Sequence, residues 1–258
     1  MSGLLGQIGF IARRSIRTNL RQPAVVVPTL SFPLLLLALN SGGLSAAAKL
    51  PGFPAKSYLD FALAVCFMQG SLFAATTAGT SLATDIESGF LNRLQLTPLR
   101  RVAILGGQLA GAMVVAGLGS VVYLTVGVIA GASVAAGVGG ALVLLVLAML
   151  TALGFASIGA LMAARTGSAE AVQGLFPLMF VLFFLSSLNL PRALIGVDWF
   201  RTVATYNPVS YLVEGLRSLI VTGWDGTALW RGFAVAAAIS AVGLYASSAA
   251  LKTRMGRT

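Results

Sequence analysis

Histidine is absent from the chain, and Cys66 is its single cysteine. Without a second thiol no disulfide framework forms within the chain. Without imidazoles or paired thiolates, a zinc site has too few donors. Acidic residues number only 7 and charged residues make up 9%, where a soluble domain carries about a quarter. No G-x-x-x-x-G-K-[ST] stretch occurs, so the chain lacks a phosphate-cradling P-loop. With few acids and no histidine, no polar or metal constellation for a membrane-embedded enzyme can be assembled. The sequence therefore reads as non-catalytic, with no metal site.

What fills the chain instead is apolar. Of its 258 residues 57% are hydrophobic, and 30 are glycine. That excess exceeds what one compact water-soluble fold of this size can hide, and a bilayer is its natural solvent. The formal charge of +10 does not indicate nucleic acid as a partner. The basic residues flank apolar runs, as the positive-inside pattern requires, and point to membrane lipids.

A spanning helix needs about 20 predominantly apolar residues. Six segments qualify, at residues 24–40, 58–83, 102–131, 137–163, 171–189 and 229–251. The first contains Pro28 and Pro33, which predict a kink or a partial span. The expected fold is an all-α membrane protein, a single transmembrane domain over residues 1–258. Flanking loops with Arg13, Arg14, Arg17, Arg21, Arg93, Arg100, Arg101, Arg165, Lys252, Arg254 and Arg257 outweigh those with Lys49, Lys56, Arg192, Arg201, Arg217 and Arg231. The first set is expected in the cytoplasm, with both termini.

Residues 1–21 are not expected to be cleaved, because the arginines follow the first apolar stretch instead of preceding it. On a helical wheel Leu4, Leu5, Ile8, Ile11 and Ile16 share one side, with Arg13, Arg14, Arg17 and Arg21 opposite and Phe10 as the exception. This predicts an amphipathic helix in the cytoplasmic interface. Gly107/Gly111 and Gly127/Gly131 are spaced for close helix packing.

The stretch 84–101 reads TDIESGFLNRLQLTPLRR. Thr84 and Glu87 have capping-box spacing, which predicts a helix starting there and running over 84–97. Ile86, Phe90 and Leu94 would share its apolar face, with Asp85, Asn92 and Gln95 mostly opposite. Thr97-Pro98 would end it and begin the third span. A bare connector does not need Phe90 and Leu94 among charges, whereas a surface docking in a partner's groove does.

The segment E-S-G-F-L-N-R-L-Q-L-T-P-L-R-R resembles the "ERGFLDRLLVTPV" type of segment in membrane subunits of ABC type-2 exporters, especially the daunorubicin-resistance permease group. Asn207-Pro208-Val209-Ser210-Tyr211-Leu212-Val213-Glu214-Gly215-Leu216-Arg217 is similar to the "NPxxYxxEalR" segment before the last span of that family. The order of elements agrees along essentially the whole chain. The resemblance implies a permease moving a hydrophobic or amphipathic substrate, drug or lipid-like, out across a bacterial cytoplasmic membrane. It implies two ATP-binding subunits, which hold the ATP and Mg, and a second permease subunit, identical or related. No cofactor is expected in this chain.

By the same resemblance the cytoplasmic helix is a coupling helix, with Glu87, Phe90, Leu91, Arg93 and Leu94 facing the ATPase. Ser88 stands where many members carry Arg, removing one ion pair with that partner. Residues 190–228 correspond to short extracellular re-entrant helices closing the outer end, with Asn207, Pro208, Tyr211, Glu214 and Arg217 as the motif residues. Asn207 can cap a helix begun by Pro208, and Glu214 and Arg217, three apart, are spaced to pair. That pairing reads equally as an outer gate and as local helix support.

Charges are nearly absent from the spans. Asp60 and Glu170 lie near span ends and are expected to be solvated. A pathway lined by Met68, Phe73, Phe176, Met179, Phe180, Phe183 and Phe184 would suit an amphipathic cargo, although such residues also serve as lipid-facing or packing groups. Two alternatives remain: a secondary carrier, which needs midplane charges or broken helices, and a permease exporting polysaccharide or glycolipid. A non-transporting scaffold would use the same docking loop without ATP-dependent flux.

Overall fold

The computed structural model describes residues 3–95 and 101–255. Among the described residues the chain is helical with no strand. Its elements are α1 (Leu4–Leu20), α2 (Pro23–Gly43), α3 (Tyr58–Glu87), α4 (Phe90–Gln95), α5 (Arg101–Ile129), α6 (Gly137–Thr166), α7 (Ala169–Gln173), α8 (Leu175–Phe184), α9 (Asp198–Tyr206), α10 (Pro208–Val221) and α11 (Gly226–Met255). Short 3-10 turns cover Ser45–Lys49 and Arg192–Leu194. Five helices, α2, α3, α5, α6 and α11, are long and apolar enough to cross a membrane.

The expected fifth span takes a different form. Its residues fold as α7 and α8, separated at Gly174, and the stretch Ala169–Phe184 would reach about 24 Å, short of a roughly 30 Å hydrocarbon core. Pro177 inside α8 has no N–H for the preceding turn. The segment still runs the length of α3. Ala169 N–H meets the Glu87 carboxylate at one end, 2.8 Å away, and Tyr58 donates to the Asn189 carbonyl at the other, 3.2 Å away.

Helix α3 is the hub. It is buried on nearly all sides, while α2 and α11 leave most of their surface open. Its partner α6 approaches through small residues. A Cβ placed on Gly159 would overlap the Ala75 carbonyl, and one on Gly79 would stand 2.8 Å from the Gly159 carbonyl oxygen. In lipid no hydrophobic force drives helices together, so dispersion at such contacts carries the association. The N-terminal helix α1 uses the same device. A Cβ on Gly107 would meet Ile11, and one on Gly111 would meet Ser15 and Asn19. The predicted amphipathic helix is present, but its buried face is Ile11, Ser15 and Asn19, pressed on α5, with Phe10 exposed.

Proline breaks are answered by side chains. Pro33 has no N–H to offer the Thr29 carbonyl four residues earlier, and the hydroxyl of the fully buried Tyr123, on α5, donates to that oxygen. This is how a proline is tolerated inside an apolar helix. Asp60 differs from its expected solvated state. It is buried, its carboxylate accepting from the Ser57 hydroxyl and from the Ser133 N–H at 2.7 and 2.8 Å. The carboxylate thereby ties the start of α3 to the α5–α6 turn. Glu170 is exposed, as expected.

Two outcomes follow. Gly159→Ala lowers the melting temperature in detergent sharply, whereas Gly139→Ala, whose Cβ would meet Trp224 at an ordinary 3.6 Å, leaves it nearly unchanged. Tyr123→Phe strands the Thr29 carbonyl and costs about 1–3 kcal/mol. In a Pro33→Ala background, where residue 33 regains an N–H, that cost falls by at least half in the same melting assay.

Candidate functional site

At the end of the bundle where α3 meets α4, four elements are tied by a polar cluster. Arg14 reaches from α1 to grip Asp85 of α3 with both terminal nitrogens, each at 2.7 Å. Gln108 of α5 donates to the same carboxylate, and Ser81 donates to the Gln108 side-chain oxygen at 3.3 Å. The Arg14 guanidinium also lies 3.9 Å over the Phe90 ring. The hydrogen bond with Asp85 raises the Arg14 pKa above its ordinary value against the opposing effect of burial, so this cation stays charged at every physiological pH. Asp85 is 6% exposed, and its pairing with Arg14 and Gln108 compensates the cost of burying the carboxylate.

This cluster changes the reading of residues 84–97. No helix starts at Thr84. Helix α3 continues through Asp85 to Glu87, because its buried face continues there, and it ends where Gly89 adopts a φ of +70°. The separate helix α4 is six residues long. Glu87 does not close a capping box. Its carboxylate accepts the Ala169 N–H and caps the start of α7. Asp85 lies in the buried interior instead of on a solvated face. The Thr97-Pro98 stop lies outside the described residues.

Of the proposed docking residues, Arg93 and Glu87 are exposed, Phe90 is half-buried under Arg14, and Leu91 is 2% exposed, packed with Leu82, Ile104 and Leu105. The side chain of Leu94 lies outside the described residues. Helix α4 thus has an anchoring side, Leu91 and Phe90, and an open side marked by Arg93.

The opposite end holds the second cluster. Asn207 performs the role its position predicts, accepting the Val209 N–H at 2.9 Å with Pro208 in the first turn of α10. Its amide also donates to the carbonyls of Leu182 and Leu185, at 2.7 and 3.0 Å, which the end of α8 leaves without helical partners. Glu214 and Arg217 do not pair with each other. Glu214 accepts from Arg192 in two places and from the Ser187 hydroxyl at 2.8 Å. Tyr211 lies beneath Arg192, 4.9 Å from its guanidinium, and donates to the Thr205 carbonyl.

Arg217 turns the other way. It is buried, lies 3.5 Å over the Phe61 ring, and donates to the carbonyls of Phe61, Ser187 and Leu188 at 3.3, 3.0 and 2.7 Å. Helix spacing does not impose the divergence, since residues 214 and 217 are only about 60° apart on the wheel. Their tertiary partners do: Arg217 faces α3 and the 187–188 carbonyls, while Glu214 faces Arg192 and the Ser187 hydroxyl.

The residues considered for a pathway separate into two groups. Met68 and Phe183 are closed in the core, Phe183 edge-on to Phe155 at 5.3 Å. Phe73, Phe176, Phe180 and Phe184 instead form a ring strip, with successive centroids 5.8, 5.8 and 4.8 Å apart, and Met179 is partly buried beside them.

Sequence reasoning missed Arg14 with Asp85, Arg192 with Glu214, and Gln108. The available signal was the scarcity of acids: in a chain with 7 carboxylates, one that is buried beside an apolar run needs a cation or several hydrogen-bond donors.

The two partnerships of α10 are separable by experiment. Arg192→Gln and Glu214→Gln are non-additive in melting temperature, with a coupling of about 1–3 kcal/mol, as contacting polar pairs show. The coupling of Glu214→Gln with Arg217→Gln is smaller. Equal couplings would restore the Glu214–Arg217 pair.

The sequence is similar to those of known proteins. The ABC-2 type transporter family matches residues 6–221, which covers both clusters. A protein named "Putative transport permease ycf38" from Porphyra purpurea is 24% identical over 266 residues, 98% of this chain and 91% of the relative. The protein of the same name from Pyropia yezoensis is 29% identical over 229 residues, 87% of this chain and 77% of the relative. With most of its length matched, from α1 to the end of α10, this chain belongs to the ABC-2 type transporter family.

Proposed function

We propose that this chain is the membrane-spanning permease subunit of an ATP-driven exporter, working with ATP hydrolysed by a separate subunit. The observation that carries the reading is α4. It is a short helix fixed from inside by Leu91 and by the Arg14–Phe90 contact, with Arg93 presented outward. A six-residue helix has too few internal hydrogen bonds to persist alone, so its anchorage serves to hold a surface in place. That surface suits a cleft of an ATP-binding partner.

Two ATP-binding subunits, holding ATP and Mg, would engage two permease chains, this one paired with an identical or related copy. The end bearing α1 and α4 is then cytoplasmic, with both chain termini, and residues 169–189 complete a sixth crossing of a bacterial membrane. The Glu214–Arg192 and Arg217 clusters close the outer end. Force on α4 has two routes into the bundle, through Arg14 to α1 and through Glu87 to the start of α7. Motion of α7 and α8 against α3 would open the path between inward and outward states. The spans hold no deep carboxylate among the described residues, since Asp60 and Asp85 sit at the two ends of α3. This favours ATP over ion coupling as the energy source.

Purification of tagged chain from its native membranes tests the reading. Wild type brings down an ATP-binding protein, Arg93→Glu loses it, and Lys49→Glu at the opposite end retains it. Absence of any ATPase with wild type under cross-linking would refute the reading.

A further inference from the structure

One groove runs along α3. Between α2, α3 and α8 lies a cavity of about 410 Å³, walled by Pro28, Phe73, Thr76 and Phe176. A second cavity of about 260 Å³, walled by Arg14, Asn19, Gln22, Ser81 and Asp85, continues it toward α1. The two share Val25, Thr77, Thr80 and Gln173, so they form one trough, polar at the α4 end and phenyl-lined beyond.

The chemistry of the polar half is specific. Its charged side chains, Arg14 and Asp85, neutralise one another through two hydrogen bonds at 2.7 Å. Thr80 donates to the Thr76 carbonyl at 2.7 Å, Thr76 to the Phe73 carbonyl at 3.0 Å, and Ser81 to Gln108 at 3.3 Å, so these oxygens offer lone pairs. Beside them the buried Asn19 side-chain N–H2 has no hydrogen-bond partner among the described residues. A charged headgroup would enter without a counter-charge and lose its hydration. An acyl chain, or an apolar helix from a second copy, would leave these groups dry. A headgroup rich in hydroxyls, each both donor and acceptor, satisfies them.

We infer that this trough binds a single-chain amphipath with an uncharged, polyhydroxyl head, the head among Thr77, Thr80 and Gln22 and the tail along Phe73 and Phe176. The inference rests on the exporter reading only in making this ligand the cargo; the binding itself needs neither ATP nor a partner. A site that offers both lone pairs and an unpartnered N–H2 discriminates strongly against analogues that cannot pair with both.

The experiment uses the full chain in phosphatidylcholine nanodiscs, labelled by dodecyl glucoside carrying a diazirine in its tail, with adducts mapped by mass spectrometry. Adducts are expected on α2 and α8 around Phe176. Unlabelled dodecyl glucoside should compete at least tenfold better than dodecyl phosphate or dodecyltrimethylammonium. Thr77→Val with Thr80→Val should abolish that preference while tail labelling and melting temperature persist; if this pair unfolds the chain, Gln22→Leu gives the same readout. Equal competition by all three amphiphiles would overturn the inference and leave a plain apolar slot. Adducts outside the trough, with residue 176 cross-linking between two copies, would overturn it and identify the groove as an interface. Because no ATPase is present, a failed exporter reading leaves these outcomes unchanged.

Discussion

Everything in this protein is hung on the contact of two backbones, α3 against α6. At Gly79 and Gly159 no side chain separates them. A closer approach means more atoms within dispersion range, which is the main attraction left when solvent is as apolar as the protein. That contact lets α3 be buried on nearly all sides, and every functional cluster is placed by α3. Asp85 stands at one end, Phe61 beneath Arg217 at the other, and Phe73 between them. A larger residue at the crossing would displace both ends together.

Around this hub the chain repeatedly answers one constraint: a carbonyl without a partner is costly where water is absent. Tyr123 answers it for the turn that Pro33 opens in α2. Asn207 does so for the end of α8, and Arg217 for Phe61, Ser187 and Leu188. In each case a distant side chain makes an irregular backbone permissible. These donors both stabilise the breaks and limit how they move. Arg217 is the strongest instance, a buried cation whose hydrogen bonds all go to backbone oxygens.

Much of this was legible from the sequence. Long apolar windows located α2, α3, α5, α6 and α11, since length and hydropathy are local properties. The Asn-Pro pair located the start of α10 for the same reason. Gly107 and Gly111 were legible as a packing surface, but not their partner, which proved to be α1. The break between α7 and α8 was hidden because a single glycine inside a helical pattern does not by itself end a helix. The capping-box reading failed because Thr84 and Glu87 obey local rules only if the helix stops, and a tertiary pair 71 residues apart keeps it going. The Glu214–Arg217 expectation failed likewise, since spacing proposes neighbours while burial chooses them. Both errors concern charged residues, whose partners are set by the whole fold.

Under the proposed function, α4 is the surface on which an ATP-binding protein docks. The direct measurement replaces Arg93 with a photo-cross-linking phenylalanine and irradiates intact membranes, with the same replacement at Trp224 as the opposite-end control. The account predicts an adduct with an ATP-binding protein at position 93 and none at 224. No adduct at 93, or equal adducts at both positions, would contradict it.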